Sequence, residues 1–417
     1  MTNILQLRLY GPLAVRNFRL LSAGQFSSTV GDYCYAIALP WYVLSSHGTT
    51  LLLGFILACY GIPRTVLIPV GGLLADRLTP RVVALIADAA RCVLVALLGL
   101  LASRHTVPVA TLGPTAALIG AGEGLFIPAS FALLPSVLDS EQLTAGNGVF
   151  SALQWTGALI GPAAGAAVVT AVTPAAAFGI DAASFAVSAL TLTAMRPPAT
   201  ARAGTSAAAG PTAGPTAGST DGSTAGGVVR LLRTSRLLRV ILMIVVAANL
   251  TLGGLIEVAV PALAHERFGA SGLGALLVCM AAGSVAGSLM AARTSELSRP
   301  ALAVSVAYLV EAVAVSLVPF LGGLRGAAAA MAVIGLSIGL CNGIVLPRLQ
   351  AWAPPALIGR VMGLILVCSI GSTPLSVALT GLLVDHCGAA VFFPVAGAVG
   401  AAVFLAALTS REWRGFR

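Results

Sequence analysis

Eight ionisable residues fall inside stretches that are otherwise almost wholly apolar: Asp32, Arg64, Asp88, Arg91, Glu123, Asp181, Glu257 and Glu311. Charges are costly in hydrocarbon, so residues of these types at such places are paired or functional. The chemistry open to them is proton binding and ion pairing. At 1.5 Å of rise per residue, Arg64, Arg91 and Glu123 come out roughly 15 Å from the cytoplasmic end of their spans, and Asp32 roughly 20 Å. Opposite signs at one depth point to a buried network in the first half of the chain. Asp32 or Glu123 is expected to lose and regain a proton during a working cycle, because a carboxylate that loses its arginine partner changes its proton affinity. A static ion pair is an equal reading for Glu123. Asp88 and Arg91 sit one helical turn apart as an i, i+3 pair, for which the static reading is favoured. Glu257 is a candidate cavity residue, and Asp181 and Glu311 are expected to bind neighbouring helices. No phosphate-cradling loop of the Walker type is present, so ATP is not indicated as a drive. There is no His/Cys/Asp cluster of metal-ligand spacing and no nucleophile–base pair of the hydrolase kind. The expectation is a protein without cofactor, metal or catalytic residues.

The elements that must position these groups are membrane helices. Of the 417 residues, 58% are hydrophobic and 9% charged, against about 25% charged in soluble domains. The mean hydropathy is +0.98. Apolar runs of helix-spanning length cover approximately 18–44, 51–74, 82–103, 108–134, 143–172, 174–195, 237–263, 271–292, 300–320, 326–347, 358–384 and 388–409, which is twelve spans. The first run is too long for a signal-peptide core and reads as a retained helix. Twelve spans put both termini on one side. The tails and loops on that side hold eighteen arginines, and the opposite loops hold only Arg104, Arg267 and Arg325. Both termini are therefore expected in the cytoplasm of a protein embedded in a cell-membrane bilayer. The same placement at helix ends, not in a patch, argues against a nucleic-acid partner for the net charge of +9. The seven cysteines have no disulfide or metal spacing and read as small packing residues. The four histidines, His47, His105, His265 and His386, fall near outer loops and are expected to be solvated.

Between spans 6 and 7 the composition shifts to Pro, Ala, Gly, Thr and Ser, with Pro-Thr-Ala-Gly repeated at 211–214 and 215–218. Such a segment cannot bury apolar surface. The chain thus divides into a six-helix bundle at 1–196, a disordered cytoplasmic linker at 197–230 and a second six-helix bundle at 231–417. The halves resemble each other at an offset of 220, which pairs Arg19 with Arg239, Gly54 with Gly274 and Asp76 with Glu296. Span 5 and span 11 pair Pro162 with Pro374. The fold class is all-α and polytopic, with two pseudo-symmetric bundles of six helices each.

Two motifs name the resemblance. Gly72-x-Leu74-Ala75-Asp76-Arg77 with Arg81 resembles the loop 2–3 signature of the major facilitator superfamily, with Thr79 and Pro80 in place of the usual Gly and basic residue. Gly148, Gly157, Gly161, Pro162 and Gly165 in span 5 resemble the signature of that superfamily's antiporters, with Ala166 in place of the last Gly. Asp32 before Trp41, Asp88 with Arg91, Gly122-Glu123-Gly124 and Asp181 through Phe185 together resemble the efflux branch of macrolide-efflux and enterobactin-exporter-like proteins. Span 4 departs from many drug–proton antiporters in lacking their arginine motif. The resemblance implies a cytoplasmic latch, with Asp76 against the start of span 11 near Gly359 and Arg360, and Gly72, Arg77 and Arg81 as its other parts. It also implies a central cavity lined by spans 1, 4, 7 and 10. Tyr33, Tyr35, Trp41, Phe126, Asn249, Glu257 and Asn342 are then cavity candidates, each open to a plain packing role. The implied activity is proton-coupled export of small amphipathic organic molecules by a monomer, with substrate and protons as partners. A nutrient importer or uniporter, and a non-transporting receptor or scaffold of the same fold, stay open as alternatives. Accessibility labelling of single cysteines introduced at 197–230 is expected to place that segment inside the cell; labelling from outside would invert the topology.

Overall fold

The computed structural model describes residues 11–46, 48–104, 108–139, 142–196, 232, 235–292, 300–352 and 358–414. The linker at 197–230, His47, His105 and Glu296 lie outside these. Among the described residues all regular structure is helical, as a chain without water partners requires, since only a helix or a closed barrel satisfies its own backbone in lipid. Twelve long helices follow in order: α1 (Arg16–Ser46), α2 (Thr50–Arg77), α3 (Pro80–Ser103), α4 (Val109–Val137), α5 (Leu143–Ala171), α6 (Pro174–Ala194), α7 (Arg236–Arg267), α8 (Gly269–Ala292), α9 (Pro300–Leu317), α10 (Leu324–Trp352), α11 (Ile358–Cys387) and α12 (Ala389–Thr409). A last short turn is α13 (Arg411–Arg414). Eleven of them are long and apolar enough to cross a membrane. The remaining one is α1, whose length suffices but whose apolar run is interrupted by Arg19, Gln25 and Asp32.

The helix starts are written locally. Thr79, Thr173 and Ser235 each accept a hydrogen bond from a first-turn N–H, of Val82, Ala176 and Leu238, and Pro80 and Pro174 follow where a missing N–H does no harm. Thr79 does this at φ +146°, a backbone conformation that suits glycine and strains a β-branched residue. It stands where the superfamily's loop pattern has Gly, so the hydroxyl cap is gained against backbone strain. α7 is interrupted by one π-helical segment, Leu255–Ala259.

The chain forms two compact units, residues 1–39 with 59–217 and residues 40–58 with 218–417. The end of α1 and the start of α2 thus group with the later helices: Gly54 lies against the backbone of Val377 and Gly381, and Thr50 donates to Asp385 at 3.4 Å. In the first unit the core gathers around Phe18, Ala84, Ala87, Ala129, Leu133 and Phe150. In the second it gathers around Ile241, Val304, Cys341, Ile344, Phe404 and Trp413. The Trp413 indole N–H donates to the Ser305 hydroxyl at 2.9 Å, which fixes α13 to α9.

Close helix pairs repeat between the units. In the first, Gly120 and Gly124 of α4 lie on the carbonyls of Tyr60 and Arg64 of α2. In the second, Gly335 and Gly339 of α10 lie on the carbonyls of Met280 and Ser284 of α8. The α2/α8 residues correspond at an offset of 220 and the α4/α10 residues at 215. Small residues are what allow two backbones to meet in this way. A side chain at Gly339 has no room, whereas at Gly72 and Gly148 a Cβ meets nothing within 4 Å. Gly339→Leu is therefore expected to lower unfolding stability in detergent by about 1–3 kcal/mol or more. Gly72→Ala and Gly148→Ala are expected to stay within about 0.5 kcal/mol of the parent in the same thermal scan.

Candidate functional site

The first unit carries two charge clusters, one half-buried and one buried, built on different helices. On α2, Tyr60 and Arg64 stand four residues apart and so share a face. Gly120 and Gly124 bring α4 against that face and present Glu123 to it. Arg64 Nη2 meets Glu123 Oε1 at 3.0 Å. The Tyr60 hydroxyl donates to Glu123 Oε2, and the Arg64 guanidinium lies 5.9 Å from the Tyr60 ring centre. One carboxylate thus takes a guanidinium on one oxygen and a phenol on the other.

The second cluster joins α3, α4 and α6. Arg91 pairs with Asp88 one turn earlier, and both are almost fully buried. Ser188 donates to the other Asp88 oxygen at 2.6 Å. The Arg91 guanidinium lies between two rings, 4.6 Å from Phe126 and 4.2 Å from Phe185, an arrangement that attracts a cation to the ring faces. Gly122 leaves the space that the Arg91 stem occupies, since a Cβ there would stand 2.8 Å from Arg91 Cγ. The single network expected from sequence is therefore divided: Arg64 bonds Glu123, and Arg91 bonds Asp88.

Asp32 and Asp181 complete the group. Asp181 is 1% exposed and accepts only from Ser184 on its own helix, at 3.4 Å. Its neighbour from α1 is Gly31, where a Cβ would press on both Asp181 and Ser184. Among the described residues, then, Asp181 takes no hydrogen bond from a side chain of a neighbouring helix, which the sequence expectation had it bind, and meets a bare stretch of α1 at Gly31 instead. Asp32 forms no ion pair among the described residues, but it lies within electrostatic reach of Arg91, Asp88, Arg64 and Asp181. Four carboxylates, Asp32, Asp88, Glu123 and Asp181, thus share two guanidiniums. If all were ionised the group would carry an excess of negative charge that hydrocarbon does not tolerate.

The latch residues separate. Asp76 and Arg77 are exposed at the end of α2. Arg81 instead caps the end of α6, donating through Nε to the Leu192 carbonyl at 2.7 Å and through Nη2 to the Thr193 carbonyl at 2.8 Å. A cation belongs at those last carbonyls. The glycine that permits close approach is Gly71, against Leu125 and Pro128, and not Gly72. The side chains of Gly359 and Arg360 lie outside the described ones.

In α5 the glycine pattern faces α1. Gly157 lies on Thr29, Gly161 on Tyr33 and Gly165 on Cys34, with Pro162 inside the helix, while Gly148 touches nothing within 4 Å. Tyr33 is thereby packed against α5. Tyr35 is buried with its ring 5.6 Å from Phe178, and Phe126 covers Arg91, so both take the packing role. In the second unit, Trp41 meets the His265 ring at 4.9 Å. His265 is half-buried, with Nδ1 shielded from solvent, and not solvated as expected. Asn249 on α7 accepts from Ser369 on α11 at 3.0 Å. Glu257 sits half-buried in the π turn, and Asn342 is exposed on α10.

Sequence reasoning missed Tyr60 and Ser188, and it named Phe185 within a motif but not as the ring on Arg91. The spacing from Tyr60 to Arg64 was a usable signal. Nothing along the chain could pair Asp88 with Ser188, a hundred residues away.

Residues 21–372 match the Major Facilitator Superfamily. The chain is 25% identical over 384 residues to "Multidrug efflux pump Tap" of Mycolicibacterium fortuitum, covering 91% of this chain and 90% of that protein. It superposes on a POT family transporter crystallised with a thioalcohol-conjugated peptide, with TM-score 0.71, 15% identity and coverage of 94% of this chain and 96% of that one. It also superposes on a bacterial homologue of the iron transporter ferroportin in an inward-facing state, with TM-score 0.69, 14% identity and coverage of 96% and 98%.

The Asp88–Arg91 pair makes a stability prediction. Arg91→Met alone leaves an uncompensated buried carboxylate and is expected to cost about 3–5 kcal/mol. Replacing both, as Asp88→Leu with Arg91→Met, is expected to recover most of that loss, read from unfolding of the purified protein.

Proposed function

Since the chain belongs to the Major Facilitator Superfamily, we propose that it is a secondary active exporter of small amphipathic organic molecules, driven by the proton gradient. The membership makes it a multi-pass membrane transporter. Export, proton coupling and substrate class are the proposal. So are a place in the cell membrane, cytoplasmic termini and a monomeric working unit.

The observation that carries proton coupling is the surplus of carboxylates over guanidiniums in the first unit. Asp32, Asp88, Glu123 and Asp181 share Arg64 and Arg91. Such a group comes to electrical balance by binding cations, and the proton is the one that fits among close-packed side chains. The Asp88–Arg91 pair is held by Ser188 and two rings and serves as a fixed strut. The Arg64–Glu123 pair is the more accessible, with side chains 29% and 17% exposed. Separating Arg64 from Glu123 removes the counter-charge, and a carboxylate so isolated is neutralised by a proton at less cost than it is kept ionised. Rejoining them expels the proton.

The direction rests on two supports. The glycine and proline spacing of α5 resembles that of antiporters, and Gly157, Gly161 and Gly165 keep α5 close on α1. The Mycolicibacterium relative is a multidrug efflux pump. The mostly apolar character of the helices suits amphipathic cargo such as drugs, macrolide-like compounds, siderophores or secondary metabolites. Asp76 is exposed and free to serve the latch, while Arg81 keeps the loop's far end fixed to α6.

Glu123→Gln and Asp32→Asn, expressed to matched levels, are each expected to reduce pH-driven efflux of a responsive compound from cells, and together to bring it to the background of cells lacking the protein. Undiminished efflux in the double variant would remove this network from the coupling.

A further inference from the structure

The offset of 220 residues that pairs Arg19 with Arg239 also carries Asp88 onto Tyr308 and Arg91 onto Glu311. At an offset of 219, Phe185 corresponds to Phe404 and Asp181 to Gly400. The contacts follow the same correspondence. Phe185 lies on Arg91, and Phe404 stacks on Tyr308 with ring centres 3.8 Å apart. Where the first unit buries an ion pair, the second therefore has a phenol and an acid in its place.

That acid faces a cleft between α7, α9 and α12, walled by Thr251, Leu255, Tyr308, Glu311, Gly397 and Gly400 among others, with free space of about 20 Å³. This is room for about one water molecule. Glu311 is 6% exposed, and its Oε2 makes no hydrogen bond. The ionisable groups around it are Tyr308 on its own helix and the Cys341 thiol on α10. The cleft walls contributed by α7 and α12 bring no ionisable side chain. Among the described residues lining the cleft, no cation answers an ionised carboxylate here.

We propose that Glu311 is a proton-binding site of the second unit, a neutral carboxylic acid that exchanges its proton through one water in this cleft. In the exchange the acid O–H bond breaks, its electron pair stays on Oε2, and the proton leaves on the water as hydronium; the reverse step reloads it. Thr251 adds a further polar residue to the wall of the cleft. α7 borders the cleft through Leu255, the first residue of its π segment, and π turns are places where a helix changes register. The inference needs neither a substrate nor a direction of transport, so it stands or falls separately from the export reading.

Infrared spectra of the full-length protein in lipid nanodiscs at neutral pH, with isotope-labelled glutamate, test it. The expected result is a protonated-acid carbonyl band that shifts with the label, moves on transfer to deuterium oxide and is lost in Glu311→Gln. Should that variant fail to fold, Glu123→Gln with Glu257→Gln gives the second arm, in which the band is expected to persist. A spectrum with only carboxylate bands, an acid band that survives Glu311→Gln or disappears in the double variant, or one indifferent to deuterium oxide would overturn the proposal.

Discussion

An ionised side chain within a bilayer has to find its counter-charge inside the protein, and most of what is distinctive in this chain follows from that. Arg91 is held by Asp88 on one side and by two aromatic faces on the others. Glu123 has Arg64 and Tyr60. Each arrangement depends on glycine in α4: Gly122 makes way for the Arg91 stem, and Gly120 and Gly124 let α4 approach the backbone of α2. The charges and the small residues are thus one device. Removing the glycines would part the ions, and removing the ions would leave polar atoms facing lipid-like surroundings.

The two units share their helix-packing plan and differ in their electrostatics. The α2–α4 contact of the first unit and the α8–α10 contact of the second put glycine on carbonyl at corresponding places. Yet the second unit has Ser284 where the first has Arg64, and Ile338 where it has Glu123. Packing has been kept while charge has been concentrated in one unit.

Much of the fold was legible because hydrocarbon imposes length and polarity rules that sequence obeys visibly. The spans expected at 82–103 and 174–195 became α3 and α6 nearly to the residue, since Thr-Pro pairs mark where each begins. The span expected at 237–263 has a π segment within it that no propensity signals. The individual charges were legible, and their partners less so. Asp88–Arg91 could be read because its residues are one turn apart. Arg64 with Glu123, and Ser188 with Asp88, depend on which helix faces meet, which the linear pattern does not state. The contact of Arg81 with the last carbonyls of α6 was not legible for the same reason.

The contact between the crossing helices α1 and α5 has its match in α7 and α11, but the notch has changed sides. In the first unit Gly161 on α5 receives Tyr33. In the second, Gly253 on α7 receives Thr373 and Ser376 of α11, and the Gly254 N–H donates to Ser376 at 2.7 Å. Such an inversion makes α5 and α11 mutually incompatible: α11 grafted in place of α5 would bring Thr373 onto the Tyr33 ring. α5 and α11 are thereby private keys for their own bundles, which guards a folding chain with two similar bundles against exchanging these two helices.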